Sequence, residues 1–342
     1  MKKPKTAVLV DYRWVLYRSA FRFSEFVVEE DDAEIRTGCI YGILEFVKTV
    51  LDSYDNCTIY FCLDGKPVYR ESLFPEYKAK RHEGDPVPEI ACARRLHDEP
   101  IKILSHVPNV QFVQDLEREA DDLMSILSFK ELGLGRKPII FSGDKDLLQL
   151  QQFGVEISKS IEDGRLQLLD KNYITLHKDF EVAPDELLYL RALDGDKSDG
   201  IPASLGGNRD LKTEFAIKWA HSGDKYLEHF EDLLEQMEPV IQELFKGKKA
   251  QENNRERLKT IKEDAVRNMK LMELDIYKPL EEAYRKYKED KDKEALNKVK
   301  EQFKIANIQH VDYDLTTKEV KQLLDKYDMN RMKAWMNYNN YI

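Results

Sequence analysis

Asp11, Asp64 and Asp144 each follow a short apolar run, in VLVD, YFCLD and IIFSGD, and Asp146 comes two residues after the last of them. The segment EREADD adds Glu119, Asp121 and Asp122 at the start of a helical pattern, just behind another apolar run. A single aspartate after a strand is most often a turn residue or the N-cap of the next helix. Several from separate strands mean more, because the crevice beyond the carboxyl ends of a parallel sheet is where an α/β protein places its ligand. Two unit charges about 4 Å apart repel by about 4 kcal/mol at an effective dielectric near 20, so such a cluster requires cations. All-oxygen donors favour Mg²⁺ or Mn²⁺ over zinc. Two such ions about 3.5–4 Å apart polarise a phosphate and acidify the water that attacks it, so the chemistry implied is phosphodiester hydrolysis. A structural Ca²⁺ would use the same donors, but the chain has no EF-hand loop of the D-x-[DN]-x-[DN]-G type.

A second acidic group, Asp194, Asp196 and Asp199, falls in LDGDKSDGIP. By itself this is a polar turn with Gly195, Gly200 and Pro202 as breakers. It becomes functional only where the fold brings the turn over the first crevice. Directly after Asp64, Lys66, Arg70, Lys78, Lys80 and Arg81 are interleaved with Tyr69, Phe74 and Tyr77. Aromatics among cations suit a single nucleic-acid strand, since bases stack and phosphates pair. An ordinary basic loop is the plain reading, and the neighbouring carboxylates weigh against it.

The elements that must position these groups alternate over the first two hundred residues. Strands are expected at about 6–11, 57–64, 110–114, 137–143, 155–159 and 165–169. A helix at 38–54 repeats Ile40, Ile43, Leu44, Val47 and Leu51 at helical spacing, and another at 119–132 carries Leu123, Ile126 and Leu127. That alternation is the mark of an α/β domain with a mostly parallel sheet. From about residue 184 helical patterns take over, and 279–304 is so rich in opposite charges at i,i+3 and i,i+4 that a solvated helix is expected there. In the tail, Trp335, Tyr338 and Tyr341 are expected to pack onto the domain.

With 342 residues, 42% hydrophobic and 35% charged, the chain is long enough for a substantial core and a second helical part. No apolar run reaches the roughly 18 residues of a membrane span. The opening MKKPKTAVLVDYRW lacks the pattern of a signal peptide, so a cytoplasmic location is expected. Cys39, Cys57, Cys62 and Cys92 form no C-x-x-C pair, which argues against a disulfide framework or zinc knuckle. The net charge of −10 opposes nucleic-acid binding when taken alone. Bound cations and a local basic stretch would reverse that balance where it matters.

Five motifs in a fixed order now carry a family resemblance: VDYRWVLYRSAF, LDGKPVYRESLFPEYKAKR, EADDLMSIL, SGDKDLLQL and RALDGDKSDGIP. Together they span residues 6–202, and the chain resembles the flap endonuclease and 5′-to-3′ exonuclease superfamily in its phage replication branch. The last four are also similar to the exonuclease domain of bacterial DNA polymerase I. The resemblance implies a PIN-like α/β nuclease domain over 1–183, with a helical arch at about 66–108. It further implies a helical C-terminal domain over 184–342, with a helix-three-turn-helix element that grips duplex DNA at about 184–225.

The implied activity is Mg²⁺-dependent cleavage at 5′ ends of branched or RNA-primed DNA, as exonuclease, flap endonuclease and RNase H, in removing primers or flaps. Two Mg²⁺ ions are implied, with Mn²⁺ substituting. By match, Asp11, Asp64, Asp121 and Asp144 would surround the first ion, and Glu119, Asp146, Asp196 and Asp199 would form the outer and second set. Asp122 has a less direct role. Lys78 and Arg81 would engage the scissile phosphate, and Arg70, Tyr77 and Lys212 would join them in contacting nucleic acid. The family's glycine-rich turn after Pro202 is replaced here by ASLGGNRDLKTEF, in which Gly206, Gly207, Lys212 and Thr213 read as a lengthened version of it. Beyond about 225 the match is loose, and 279–304 reads as an insertion. A monomer acting with a single-stranded-DNA-binding protein or a sliding clamp fits the family by analogy. A non-catalytic scaffold and a ribonuclease of the PIN type remain as alternatives, the first opposed by the intact carboxylates and the second by the long arch segment.

Overall fold

Thr6–Asp11 (β1) is apolar along almost its whole length because both of its faces are covered. Ala7 and Leu9 enter one core, Val8 and Val10 the other, and all four are 0% exposed. Near-continuous apolar runs of this kind are what a parallel sheet under two helical layers requires. In the computed structural model, which describes residues 6–30, 33–79, 85–170, 174–177, 180–206, 209–236, 251–274 and 308–342, β1 is the middle strand of seven.

On one side of β1 lie Cys57–Leu63 (β4) and Val110–Gln114 (β5), and on the other Lys137–Phe141 (β6) and Glu156–Glu162 (β7), all parallel. Arg165–Leu168 (β8) closes one edge antiparallel to β7, and Gln309–His310 (β11) closes the other antiparallel to β5. Val27–Glu30 (β2) pairs with Ala33–Arg36 (β3), and Ile174–His177 (β9) with Phe180–Val182 (β10), as separate hairpins. Every strand expected from the sequence is present within one to three residues. Asp64 and Ser142–Gly143 lie just beyond β4 and β6, where the chain leaves the sheet for its turns.

Tyr12–Arg22 (α1) and Gly38–Ser53 (α2) cover one face of the sheet, and α2 buries Ile40, Ile43, Leu44 and Val47 as its periodicity predicts. α1 was not among the helices expected from periodicity. Asp11 starts it as N-cap, accepting a hydrogen bond from the Trp14 amide. Val68–Leu73 (α3), Pro88–Arg95 (α4) and Glu99–Leu104 (α5) occupy the expected arch region. The other face carries Ala120–Gly133 (α6), Leu187–Asp194 (α7), Arg209–Ser222 (α8) and the helix Gln251–Met272, around the fully buried Trp219.

The C-terminal part is not helical throughout, because β11 adds main-chain hydrogen bonds to the β5 edge. The helices Thr317–Lys326 and Asn330–Tyr338 then bury Val320, Leu324, Met332 and Met336 in the same core as α2 and α5. Trp335 and Tyr341 pack there edge to face, 5.4 Å apart, as expected of the tail, while Tyr338 is 86% exposed. All four cysteines are free, three of them buried. The charged segment at 279–304 lies outside the described residues. Among the described residues no helix is long and apolar enough to cross a membrane.

Candidate active site

The parallel register aligns the strand ends, pairing Asp11 with Cys62 on β4 and Val10 with Phe141 on β6. Asp11, Asp64 and Asp144 therefore gather at one end of the sheet, at the point where the chain crosses from one side of β1 to the other. Asp11 accepts from the Trp14 amide at 3.0 Å and from the Ser142 hydroxyl at 3.1 Å. Asp64 accepts from the Ala120 amide at 3.0 Å, which ties it to the start of α6, and meets Arg13 at 3.1 Å. The turn after Asp64 passes so close to residues 115–118 that a Cβ on Gly65 would lie 2.0 Å from the Asp115 carbonyl oxygen. Only glycine fits there.

Glu119, Asp121 and Asp122 open α6, and each can present one oxygen within 4.8 Å of the others'. Beneath them is Arg70, 5% exposed. Its guanidinium grips both Asp122 oxygens, one of them at 2.8 Å, and donates to Glu119 at 3.0 Å and to the Leu271 carbonyl at 2.7 Å. The expectation that Arg70 contacts nucleic acid is corrected by this burial, since its donors are already engaged inside the protein. Tyr77 is likewise 5% exposed, with its hydroxyl 2.9 Å from Glu119 and 3.3 Å from Asp199. It packs beside the site and has no face free to stack on a base.

The second acidic group does reach the crevice. Asp196 and Ile201 exchange two backbone hydrogen bonds of 2.9 and 2.7 Å, closing the LDGDKSDGIP turn into a tight tip. Gly195 allows this at φ 70°, where a Cβ would stand 2.5 Å from the Ile201 carbonyl oxygen. The tip is held over the first group by two cations of the chain itself. Lys78 donates its amide to the Asp199 carbonyl at 2.8 Å, and its ammonium binds Glu119 and stands 3.5 Å from Asp199. Arg191 bridges Asp146 at 2.7 Å and Asp196 at 2.5 Å.

The carboxylates thus divide into two groups. Glu119, Asp122, Asp146, Asp196 and Asp199 each pair with Arg70, Lys78 or Arg191, and Asp64 with Arg13. Asp11, Asp121 and Asp144 form no ion pair among the described residues. Burial, with Asp64 and Asp144 adding repulsion, pushes Asp11 up to about 7. Burial and the charge of Asp122 push Asp121 well above the usual carboxylate range, against the pull of Arg70. Burial also raises Asp146 to about 6, with Arg191 pulling the other way. At Asp196 burial is outweighed by hydrogen bonds from Ser198 and Arg191, and the carboxyl is held low. Charge left uncompensated in a crevice calls for an external cation.

Of the other residues singled out in the sequence, Lys212 is paired with Asp194 at 2.5 Å. Arg81 lies outside the described residues. Two site residues escaped the sequence reading. Arg13 is marked only by its place two residues after Asp11. Arg191 sits five residues before Asp196, across a helix end where periodicity carries no signal.

Residues 6–178 match the model of the N-terminal, resolvase-like domain of 5′-3′ exonucleases. The chain belongs to the 5′-3′ exonuclease family. Within it, the chain is 30% identical over 205 residues to a 5′-3′ exonuclease of Buchnera aphidicola subsp. Schizaphis graminum, a match covering 58% of this chain and 66% of that protein. It is 31% identical over 202 residues to DNA polymerase I of Chloroflexus aurantiacus, covering 58% of this chain and 21% of the polymerase. The chain therefore spans slightly under two thirds of the 5′-3′ exonuclease relative and about a fifth of the DNA polymerase I relative. The bacteriophage T5 5′-exonuclease with divalent zinc ions bound superposes with a TM-score of 0.54 at 17% identity, over 88% of this chain and 99% of that one. The T5 flap endonuclease in a complex with DNA and metal ions gives 0.50 at 16% identity, over 94% and 99%. These likenesses establish the family's mostly parallel α/β fold for this chain.

Proposed function

We propose that the chain is a Mg²⁺-dependent 5′ nuclease, an exonuclease and flap endonuclease that hydrolyses phosphodiester bonds at the 5′ ends of branched or RNA-primed DNA. The role that fits is removal of primers or flaps during phage DNA replication. The observation that carries this reading is the set of unpaired carboxylates, Asp11, Asp121 and Asp144, converging with Asp64 at the end of the sheet.

That donor set fits a hard divalent cation: every side-chain ligand is a carboxylate oxygen, and among the described residues only Asp64 has a cationic partner, Arg13. Asp11, Asp64, Asp121 and Asp144 would hold one Mg²⁺, and Glu119, Asp146, Asp196 and Asp199 would form the outer and second set, with Mn²⁺ able to substitute. Ions bound there would supply charge neutralisation of the phosphate and acidification of the attacking water. The chain's own contribution is positioning. Arg70 and Tyr77 fix Glu119, Arg191 fixes Asp146 and Asp196, and the Lys78 ammonium is poised at the crevice to stabilise charge developing on the phosphate. By the family resemblance Arg81 acts with Lys78, and the tip at 194–202 with Lys212 approaches the duplex. The protein would work as a monomer, with a single-stranded-DNA-binding protein or a sliding clamp as partner.

The test is cleavage of a 5′-labelled flap duplex and a 5′-labelled RNA–DNA hybrid, with Mg²⁺ and with EDTA. Short labelled products that require Mg²⁺ support the proposal, and the ratio between substrates reports primer against flap removal. Tight DNA binding without cleavage in Mg²⁺ would replace it with a scaffold function.

A further inference from the structure

Arg191 occupies the last turn of α7, where a cation also suits the negative end of the helix dipole. Its guanidinium spans two carboxylates from separate parts of the chain. Nε donates to Asp146 Oδ1 at 2.7 Å, while Nη2 donates to Asp196 Oδ2 at 2.5 Å and reaches Asp146 Oδ2 at 3.4 Å. Asp146 begins the 3₁₀ turn Asp146–Phe153 after β6, and Asp196 lies in the tip beyond Gly195. The side chains are 17%, 16% and 19% exposed, so this bridge is shielded and its geometry is held by packing.

Asp196 is fixed a second time, as the Ser198 amide and hydroxyl donate to Oδ1 at 2.7 and 2.6 Å. Carboxylate oxygens keep further lone pairs after one such bond, so the anchored pair can still accept a cation. A planar fork sets two acceptors at a fixed separation in a way a single ammonium does not.

We propose that Arg191 is a positioning residue for the second cation, presetting Asp146 and Asp196 as one site across the junction of the sheet with the helical tip. The proposal rests on the nuclease reading above. Outer partners of metal ligands change metal affinity or activity by about 10–100-fold when removed, and Arg191 stands in that relation to both aspartates.

The experiment is Mn²⁺ binding to the full chain, by calorimetry and by electron paramagnetic resonance, for wild type, Arg191→Ala and Arg191→Lys. The Mg²⁺ dependence of flap cleavage is measured in parallel, and melting curves establish that each variant is folded. In Arg191→Ala the weaker of two Mn²⁺ sites should lose about 10–100-fold in affinity, the stronger site should hold, and the Mg²⁺ concentration for half-maximal cleavage should rise. Arg191→Lys should recover part of each loss, and should it be the only variant that folds, its weakened second site carries the test. Two Mn²⁺ sites of wild-type affinity in the variants would overturn the positioning role while leaving the nuclease reading intact. A wild-type protein that binds no Mn²⁺ would overturn both.

Discussion

Lys78 and Asp199 are joined twice, by a 2.8 Å hydrogen bond from the Lys78 amide to the Asp199 carbonyl and by a 3.5 Å approach of the Lys78 ammonium to the Asp199 carboxylate. Lys78 adopts φ 56°, a left-handed conformation that costs a side-chain-bearing residue of the order of 1–3 kcal/mol and persists where the surroundings over-determine it. The contact locks the basic segment after β4 to the acidic tip after α7. It sets the Lys78 ammonium between Glu119 of the first acidic group and Asp199 of the second.

Lys78→Ala should therefore slow the chemical step by about 10²–10³-fold, the usual loss on removing one preorganised stabiliser of developing charge. Single-turnover cleavage of a flap substrate checks the rate. DNA affinity in Ca²⁺ should change far less. A single-turnover rate close to wild type would remove Lys78 from the chemistry.

Arg70→Ala should act on stability. Removing one partner of a buried ion pair costs roughly 3–5 kcal/mol, and Arg70 serves two carboxylates and a carbonyl oxygen. Urea unfolding of the metal-free protein measures the loss. An unchanged midpoint together with weakened DNA binding would return Arg70 to the role the sequence suggested.

Tyr77→Phe keeps the ring and removes the hydroxyl, whose single proton is shared with Glu119 at 2.9 Å (oxygen to oxygen), with Asp199 at 3.3 Å as the longer alternative acceptor. A hydrogen bond to a charged group contributes about 1.5–3 kcal/mol, so the variant should melt lower and cleave more slowly at unchanged DNA affinity. A base-stacking Tyr77 would show the reverse pattern: Phe tolerated, Ala weakening DNA binding.

The crowded aspartates predict a pH effect with a definite sign. Burial, with Asp64 and Asp144, raises Asp11 to about 7 when no metal is bound, whereas an aspartate in the unfolded chain titrates near 3.9. The folded state holds the extra proton between those values, so the Asp11 contribution to metal-free stability falls as pH rises from about 4 to about 7 and is constant above. Asp146, raised by burial to about 6, acts in the same direction. A cation must displace these protons at low pH. A fixed Mg²⁺ concentration should thus raise Tm more at pH 8 than at pH 6 in calorimetric scans, and an equal or larger rise at pH 6 would contradict the assignment.

Much of this was legible in the sequence, and the reasons are local. Strand ends are written by apolar runs that stop at a charged residue, so the sequence alone places Asp11, Asp64 and Asp144 at one edge of the sheet. α1 is hard to read from sequence because it begins at Asp11, an N-cap whose place at a strand end is also that expected of a metal ligand. Arg70 and Tyr77 look like surface residues in PVYRESLFPEYK, and only tertiary packing against α6 and the helix Gln251–Met272 shows them to be internal. Arg191 pairs across a helix end with residues 45 and 5 positions away, a relation no periodicity encodes.

The most direct test of the central claim compares wild type with Asp144→Asn on one 5′-labelled flap duplex in Mg²⁺, with EDTA as control. Asp144 is exposed in the crevice and forms no ion pair among the described residues, so the substitution removes charge at the site with little effect on the fold. The account predicts release of short 5′ products by wild type in Mg²⁺ alone, and no cleavage by Asp144→Asn despite undiminished DNA binding. Wild-type turnover by Asp144→Asn would contradict it.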